Sequence, residues 1–354
     1  MDTTLTQTLR DLEFTVLKVS AWTGLAVSSF HHRLHPGRRR VTTPIPHAQR
    51  RSDIALNHQE RQAIADQLNQ APTRTVSQVF HHHLDSGDAY ASLRSYYRIA
   101  NTALCPTRYT PIRSPVDAAT PQVNPPQLHA TAPYETLVWD ITFLPGLHRG
   151  QSYALHCVLD LYSRAIVGWQ IDTSPNANVA ATLFRQIGAD ARAAGFTIST
   201  IHSDNGRTMK STAVKKICRE IGAQRSYSRP HISDDNPHIE SSFSTLKGDA
   251  TYPKVFDDYA HAHQWVTGWV RFYNTIRYHP GLAHFTPDQL LTNTWKGQWA
   301  VRNQARQALY AAHPARYRYR PPVVAQPPME VTFNITNTPD NISNRTVMQS
   351  AIVS

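Results

Sequence analysis

The stretch that decides the fold is Leu137-Val138-Trp139-Asp140-Ile141-Thr142-Phe143-Leu144, then Tyr153-Ala154-Leu155-His156-Cys157-Val158-Leu159-Asp160-Leu161, then Ala165-Ile166-Val167-Gly168-Trp169-Gln170-Ile171. Each run is rich in aliphatic, β-branched and aromatic residues, and the gaps are polar or Gly-containing, the pattern of successive strands joined by turns. Downstream the period changes. Val179, Leu183, Phe184 and Ile187 line one side of a helix expected over 178–194. A short strand is expected over 197–202, a helix over 212–221, a strand over 224–228, and a further helix carrying Phe243 and Leu246. The order β-β-β-α-β-α-β-α implies an α/β fold, a mixed five-stranded sheet flanked by helices.

Three acidic residues occupy telling places in this pattern. Asp140 falls inside the first strand, where an unpaired buried carboxylate is costly. Asp204 ends the fourth strand just before the turn pair Asn205-Gly206, and Glu240, 35 residues further on, follows a Pro-containing loop and opens a helix. In sheets of this kind strand ends and helix starts face a common edge. Three carboxylates gathered around divalent ions suit phosphodiester chemistry. Each acid also has a plain structural reading: Asp204 as a turn residue, Glu240 as a first-turn helix charge, Asp140 as a salt-bridge partner.

Composition narrows the partner. Lys and Arg number 36 against 25 Asp and Glu, a net charge of +11, which favours a polyanion, although a solvated basic surface would give the same sum. The three cysteines, Cys105, Cys157 and Cys218, are odd in number, far apart and without a C-x-x-C pair. That supports neither a disulfide framework nor a cysteine zinc site, and fits a reducing cytoplasm. No apolar run reaches the roughly 18–20 residues needed to span a bilayer, and the start of the chain lacks a basic segment followed by an apolar one. Neither a membrane nor an export route is expected.

The first hundred residues read as short helices. Leu5, Leu9, Leu12, Val16 and Val19 repeat at helical spacing, Thr23-Gly24-Leu25 turns the chain, and 26–35 is a candidate recognition helix followed by Arg38, Arg39 and Arg40, placed to hold a phosphate backbone. This makes 1–50 a helix-turn-helix DNA-binding region, with an ordinary helical hairpin as the alternative. A second helix-turn-helix-like unit is expected over 51–104. In it Asn57 and Glu60 form a capping box, Ser86-Gly87-Asp88 is a turn, and a helix carries Arg94 and Arg98. His81, His82 and His83 point in different directions around a helix and are expected at the surface or on DNA rather than on one metal. Prolines then interrupt 105–130, an extended linker. The catalytic core is expected over 131–292. The remainder, 293–354, is expected to carry a helical stretch, the alternating Arg316-Tyr317-Arg318-Tyr319-Arg320, suited to nucleic acid or to a surface strand, and a polar tail from about Asn334 whose composition predicts disorder.

The motifs Trp139-Asp140-Ile141-Thr142, Cys157-Val158-Leu159-Asp160-Leu161-Tyr162-Ser163-Arg164 and His202-Ser203-Asp204-Asn205-Gly206 form an ordered set with others downstream. These are Ser228-Arg229-Pro230, Asp235-Asn236-Pro237, Glu240 with Phe243 and Thr245-Leu246-Lys247, and Phe272-Tyr273-Asn274 with Arg277, His279 and Thr286-Pro287. The set resembles the retroviral-integrase-like core of bacterial insertion-sequence transposases, most closely the OrfB-type proteins of the IS-three type. The resemblance implies an RNase H-like fold and a D,D(35)E site at Asp140, Asp204 and Glu240 holding two Mg²⁺ ions, with Mn²⁺ able to substitute. It further implies end cleavage and strand transfer of an insertion element, with Lys247 on a phosphate near the scissile bond. Arg229, His231 and Asn236 would either support the metal ligands from behind or be DNA-loop residues, and Asp160 with Arg164 a structural pair. The implied partners are double-stranded DNA (terminal inverted repeats and target), an OrfA-like subunit and further copies of the chain, in the bacterial cytoplasm at the nucleoid. Arg207, Asp234-Asp235 and Gly248-Asp249 depart from the usual motifs without touching the three acids. Two alternatives belong beside this reading: an inactive DNA-binding repressor derived from a transposase, and an RNase H-like nuclease that cleaves without joining.

Overall fold

The computed structural model describes residues 15–24, 26–27, 54–102, 104–105, 127–229 and 236–333. Most of the expected recognition helix, Arg38, Arg39, Arg40, most of the Pro-rich stretch, His231 and the tail beyond Phe333 lie outside the described residues. The chain divides into two units, Met1–Ala55 and Leu56–Ser354. In the first, Val16–Thr23 forms α1, with the Thr15 side chain accepting from the Lys18 amide and Gly24 ending the helix in the left-handed region (φ 67°), as a C-terminal glycine does.

In the second unit, His58–Asn69 (α2), Val76–Asp85 (α3) and Leu93–Ala100 (α4) pack around Ile64, Leu68, Val79, Phe80, Tyr96 and Ile99. The expected Asn57–Glu60 capping box is present, with both bonds at 2.8 Å, and Thr75 with Gln78 forms a second one at the start of α3. Each such cap is worth about 1 kcal/mol to its helix. One polar chain is buried among the apolar contacts: the Tyr96 hydroxyl donates to Gln67 Oε1 (2.6 Å), and Gln67 Nε2 donates to the Asp88 carbonyl.

The large sheet is built from Thr136–Pro145 (β2), Ser152–Asp160 (β3), Ile166–Asp172 (β4), Thr200–Ser203 (β5) and Gln224–Tyr227 (β6), in the order β4-β3-β2-β5-β6. β2 pairs antiparallel with β3 and parallel with β5; β3–β4 is antiparallel and β5–β6 parallel, so the sheet is mixed as expected. Helices Ala177–Ala193 (α5) and Thr212–Glu220 (α6) cover one face; Pro237–Lys247 (α7) and Tyr259–Thr275 (α8) cover the other. The pleat sorts β2 between them. Leu137 and Trp139 join the core under α5 and α6, while Val138 and Leu144 join the one under α7 and α8. Alternation therefore places Asp140 on the α7 side. α8 is tied to the sheet edge by Asn274, whose amide both accepts from and donates to the Ile166 backbone at 2.9 Å.

After Pro287–Leu291 (α9), Trp295–Ala312 (α10) runs back against α3. The junction is polar. Arg302 of α10 is 1% exposed and grips the Asp85 carboxylate through Nε and Nη2. His81, expected at the surface, is buried, stacked on His284 with ring centroids 4.0 Å apart. The Arg316–Arg320 stretch is not a strand. Pro314–Tyr317 is a single helical turn, and Arg318 and Tyr319 have positive φ. Arg316 is turned inward, with both terminal nitrogens on the Glu60 carboxylate at 2.9 Å. At the end of the Pro-rich stretch, Leu128–Ala130 (β1) pairs antiparallel with Val331–Phe333 (β7). Among the described residues no helix is long and apolar enough to cross a membrane.

Candidate active site

The three acids come from three elements. Asp140 lies in the middle of the central strand, with its backbone in register with Cys157 of β3. Asp204 follows Ser203, the last residue of β5, which pairs with Trp139 of β2, so the strand ends one position from Asp140. Glu240 is the fourth residue of α7, the helix laid against β2 by Ile239, Phe243 and Leu246. Asp140 is half-buried; Asp204 and Glu240 are exposed.

Local bonds hold the first two in place. The Asp140 carboxylate accepts from the Ile141 amide (2.7 Å), and Asp204 Oδ1 accepts from the Gly206 amide (3.0 Å). Gly206 permits this tight turn, since a Cβ there would stand 3.1 Å from Asp204 Oδ1. Between them Asn205 donates its side-chain amide to the Ser228 carbonyl, which fastens the Asp204 turn to the end of β6. Arg229 follows directly, beside this strand end and half-buried. Behind the turn the buried His202 ring is bracketed by the Ser226 and Ser228 hydroxyls at 3.0 and 3.2 Å.

The electrostatics tie the acids together. Burial pushes the Asp140 carboxyl up to about 7; the negative charges of Asp204 and Glu240 push in the same direction, while the Ile141 amide bond and the Lys247 ammonium oppose them. Asp140 thus senses both other acids and the lysine from across the chain. Lys247 ends α7 on its exposed side, two turns after Glu240. Among the described residues no three His, Cys, Asp or Glu side chains already stand together as a metal-holding group.

The remaining expected residues fall differently. Asn236 precedes α7 and is buried, with neither its Nδ2 nor its Oδ1 bonded. Asp160 and Arg164 do not form the expected pair. The Asp160 carboxylate accepts from the Tyr134 amide (2.9 Å), the Ser163 amide (2.8 Å) and the Ser163 hydroxyl (2.5 Å), and Arg164 Nη1 is left without an acceptor. A short Asp-x-x-Ser turn satisfies the carboxylate locally, so the more distant guanidinium is not needed. Asn205, His202 and the serines around them were not singled out as supports, although the Asp-Asn-Gly turn signal was the clue to the first.

Two Integrase core domain families match the chain, over residues 130–233 and 221–287. The transposase for insertion sequence element IS904 of Lactococcus lactis is 32% identical over 160 residues, 45% of this chain and 61% of that protein. InsK of insertion sequence element IS150 in Escherichia coli K12 is 27% identical over 53% of this chain and 65% of its own length. The chain therefore spans less than two thirds of either. A transposase-like protein of Haemophilus influenzae is 30% identical over 158 residues, 45% of this chain and 71% of that protein. Among solved structures, the catalytic core domain of HTLV-2 integrase in complex with magnesium aligns at a TM-score of 0.34 and 16% identity, over 45% of this chain and 97% of that one. With its mixed five-stranded sheet and these relatives, the chain belongs to the insertion-sequence transposases that carry an integrase core domain.

Proposed function

We propose that the chain cleaves the ends of an insertion element and joins them to a target, with Asp140, Asp204 and Glu240 as the catalytic carboxylates. The observation that carries this reading is the Asp140 carboxyl, raised first by burial and responding as well to Asp204, Glu240 and Lys247, which are widely separated from it in sequence. Perturbation of this kind clusters at functional sites.

The donor set suits a hard divalent cation: three carboxylates, no sulfur, and an excess of negative charge at Asp140 that a cation would relieve. Two Mg²⁺ ions, for which Mn²⁺ can substitute, would be held by Asp140, Asp204 and Glu240; when bound they supply charge stabilisation for an in-line displacement at phosphorus. The chain's own groups do the positioning. The Asn205 bond to Ser228 fixes the turn that carries Asp204, and the β2 ladder fixes Asp140. Lys247, whose charge reaches Asp140, would hold a phosphate oxygen near the scissile bond. No side chain serves as nucleophile; water attacks in the first step and a DNA 3′-hydroxyl in the second.

The substrates in this reading are the terminal inverted repeats and the target duplex. In this reading Arg229, His231 and Asn236 contact DNA near the core, and Arg38, Arg39 and Arg40 hold a phosphate backbone. An OrfA-like subunit and further copies of the chain complete the assembly at the nucleoid. The test is Asp204→Asn on duplexes bearing the element's ends with Mg²⁺ or Mn²⁺. Cleavage and joining should both disappear while duplex binding persists. Activity that survives this substitution, or a wild-type chain that neither cleaves nor joins with its partner subunit supplied, defeats the proposal.

A further inference from the structure

A group of polar side chains that the three-carboxylate chemistry does not use is coupled through its charges to His238 in the first turn of α7. Arg164, 9% exposed, sits in the loop between β3 and β4 with Nη1 unbonded, its expected partner Asp160 being spent on the loop itself. His279 has an unbonded Nδ1 and lies against Gly281, where a Cβ would stand 3.3 Å from that nitrogen. Asn236, 6% exposed, occupies the N-cap position of α7 yet caps nothing and has no bond on either amide atom. Buried polar atoms almost always find a partner; Arg164 Nη1 and Asn236 Nδ2 can only donate, and His279 Nδ1 donates in one tautomer of its neutral ring, so an acceptor suits all three.

The charges agree. The Tyr273 phenol lies within reach of both Arg164 and Arg277, and Arg277 stands 5.6 Å from the Tyr273 ring centroid. Burial, followed by the charges of Arg277, Arg164 and His238, holds the His279 imidazole down at about 3. Asp160 and Asp249 act on the two guanidiniums from a distance, but among the described residues no ion pair joins them. The group is open on one side, since His238, Arg277 and His279 are only half-buried.

We propose that Arg164, Arg277, His279 and Asn236, with the N-terminus of α7, form a binding site for a phosphate group, distinct from the three carboxylates. A phosphate offers only acceptors, matches the planar guanidinium donors, and is favoured at the positive end of a helix. Glu240 lies one turn further along the same helix, so a DNA backbone phosphate held here anchors a strand that passes the carboxylates. This use of the site rests on the strand-transfer reading; the capacity to bind phosphate does not.

The test uses the full chain. Thermal unfolding is compared in inorganic phosphate and in chloride at equal ionic strength, for the wild type, Asn236→Ala, Arg277→Gln and Asp204→Asn. Phosphate should raise the wild-type and Asp204→Asn midpoints, and should fail to raise those of Asn236→Ala and Arg277→Gln. Asn236→Ala should keep its midpoint in chloride, because it removes no existing hydrogen bond; should it unfold, Arg277→Gln carries the test. Duplex binding titrated against salt separates the sources. If the phosphate is a DNA phosphate, Arg277→Gln lowers the log–log slope by about 0.9. An unchanged slope with the phosphate effect lost identifies free phosphate as the ligand of the same site. Equal stabilisation by phosphate and chloride, or a phosphate effect intact in both Asn236→Ala and Arg277→Gln, overturns the proposal.

Discussion

Replacing Arg302 by methionine should loosen α10 from α3 more than any surface substitution could. The guanidinium is 1% exposed and makes four polar contacts: Nε and Nη2 to the Asp85 carboxylate, Nη1 to the Ala283 carbonyl (3.2 Å) and Nη2 to the His284 carbonyl (2.7 Å). It also lies 3.9 Å from the Phe285 ring centroid. Methionine has a similar length and keeps the apolar contact with Phe285, but it leaves the Asp85 carboxylate, 13% exposed, without its counter-charge and two carbonyls without donors. Removing one partner of a buried ion pair costs about 3–5 kcal/mol, against about 0–1 for an exposed pair. The residual exposure of Asp85 favours the lower end. At about 1.4 kcal/mol per factor of ten, a 3 kcal/mol loss is on the order of a 100-fold faster amide exchange in α3 and α10. The double variant Asp85→Leu/Arg302→Met should recover most of the loss, because it removes the orphaned charge. Exchange accelerated less than about fivefold in the single variant would refute the reasoning, since the pair would then behave as an exposed one.

Other outcomes follow from the same contacts. The His81–His284 stack should weaken in acid. Burial, then His284, holds His81 at about 3, and burial, then Arg302, holds His284 at about 4. Both values lie below the unfolded value of about 6.5, so the folded state binds fewer protons; stability is full above that pH and falls as the pH drops toward 4 and then 3. Urea midpoints between pH 7 and pH 4 should show this slope, and His81→Gln should flatten it. Glu240→Gln should lower the Asp140 titration midpoint by deleting a negative charge, and Lys247→Ala should raise it by deleting the opposing positive one. Carboxyl ¹³C titration without divalent cations reads both, and two unmoved midpoints would mean that the groups are not in mutual reach. Gly168→Ala should destabilise the core by about 1–3 kcal/mol in urea unfolding. Its Cβ would stand 2.5 and 2.8 Å from Ile187 side-chain atoms and 3.0 Å from Leu183, where α5 presses on β4.

What the sequence revealed and what it hid divide by range of interaction. The strands of the sheet, the Asn57–Glu60 box and the turn at Gly87 depend on residues within a few positions of one another, so their signals lie side by side in the chain. The apolar run around Asp140 likewise marked it as a residue inside a strand, while the face it occupies follows only from the two cores that Leu137 with Trp139 and Val138 with Leu144 join. Arg302 and Arg316 gave no such signal. An arginine on an amphipathic helix looks solvated unless its partner is known, and here the partners Asp85 and Glu60 lie 217 and 256 positions away. The Arg316–Arg320 alternation imitated a strand, but Pro314 sets a helical turn and the positive φ of Arg318 and Tyr319 breaks any extended run. His81 misled for the same reason as Arg302: a run of histidines reads as polar until an aromatic partner from elsewhere in the chain covers one of them.

The three carboxylates are also not held with equal firmness, and the difference follows from their supports. Asp140 sits in a strand bonded on both sides, so its backbone moves only if the sheet does. Asp204 is one residue past the end of such a strand and depends on short-range bonds, its own to the Gly206 amide and that of Asn205 to Ser228. Glu240 has no ladder at all. Its place is set by how Ile239, Phe243 and Leu246 seat α7 against Val138 and Leu144, and by a helix start whose natural cap, Asn236, is unbonded. A helix start left with an unbonded buried cap is incomplete, and an anion is the partner that the positive end of a helix favours. If the phosphate of a bound strand supplies that partner, the helix that carries Glu240 is completed by the substrate itself, which would couple strand binding to the placing of this carboxylate.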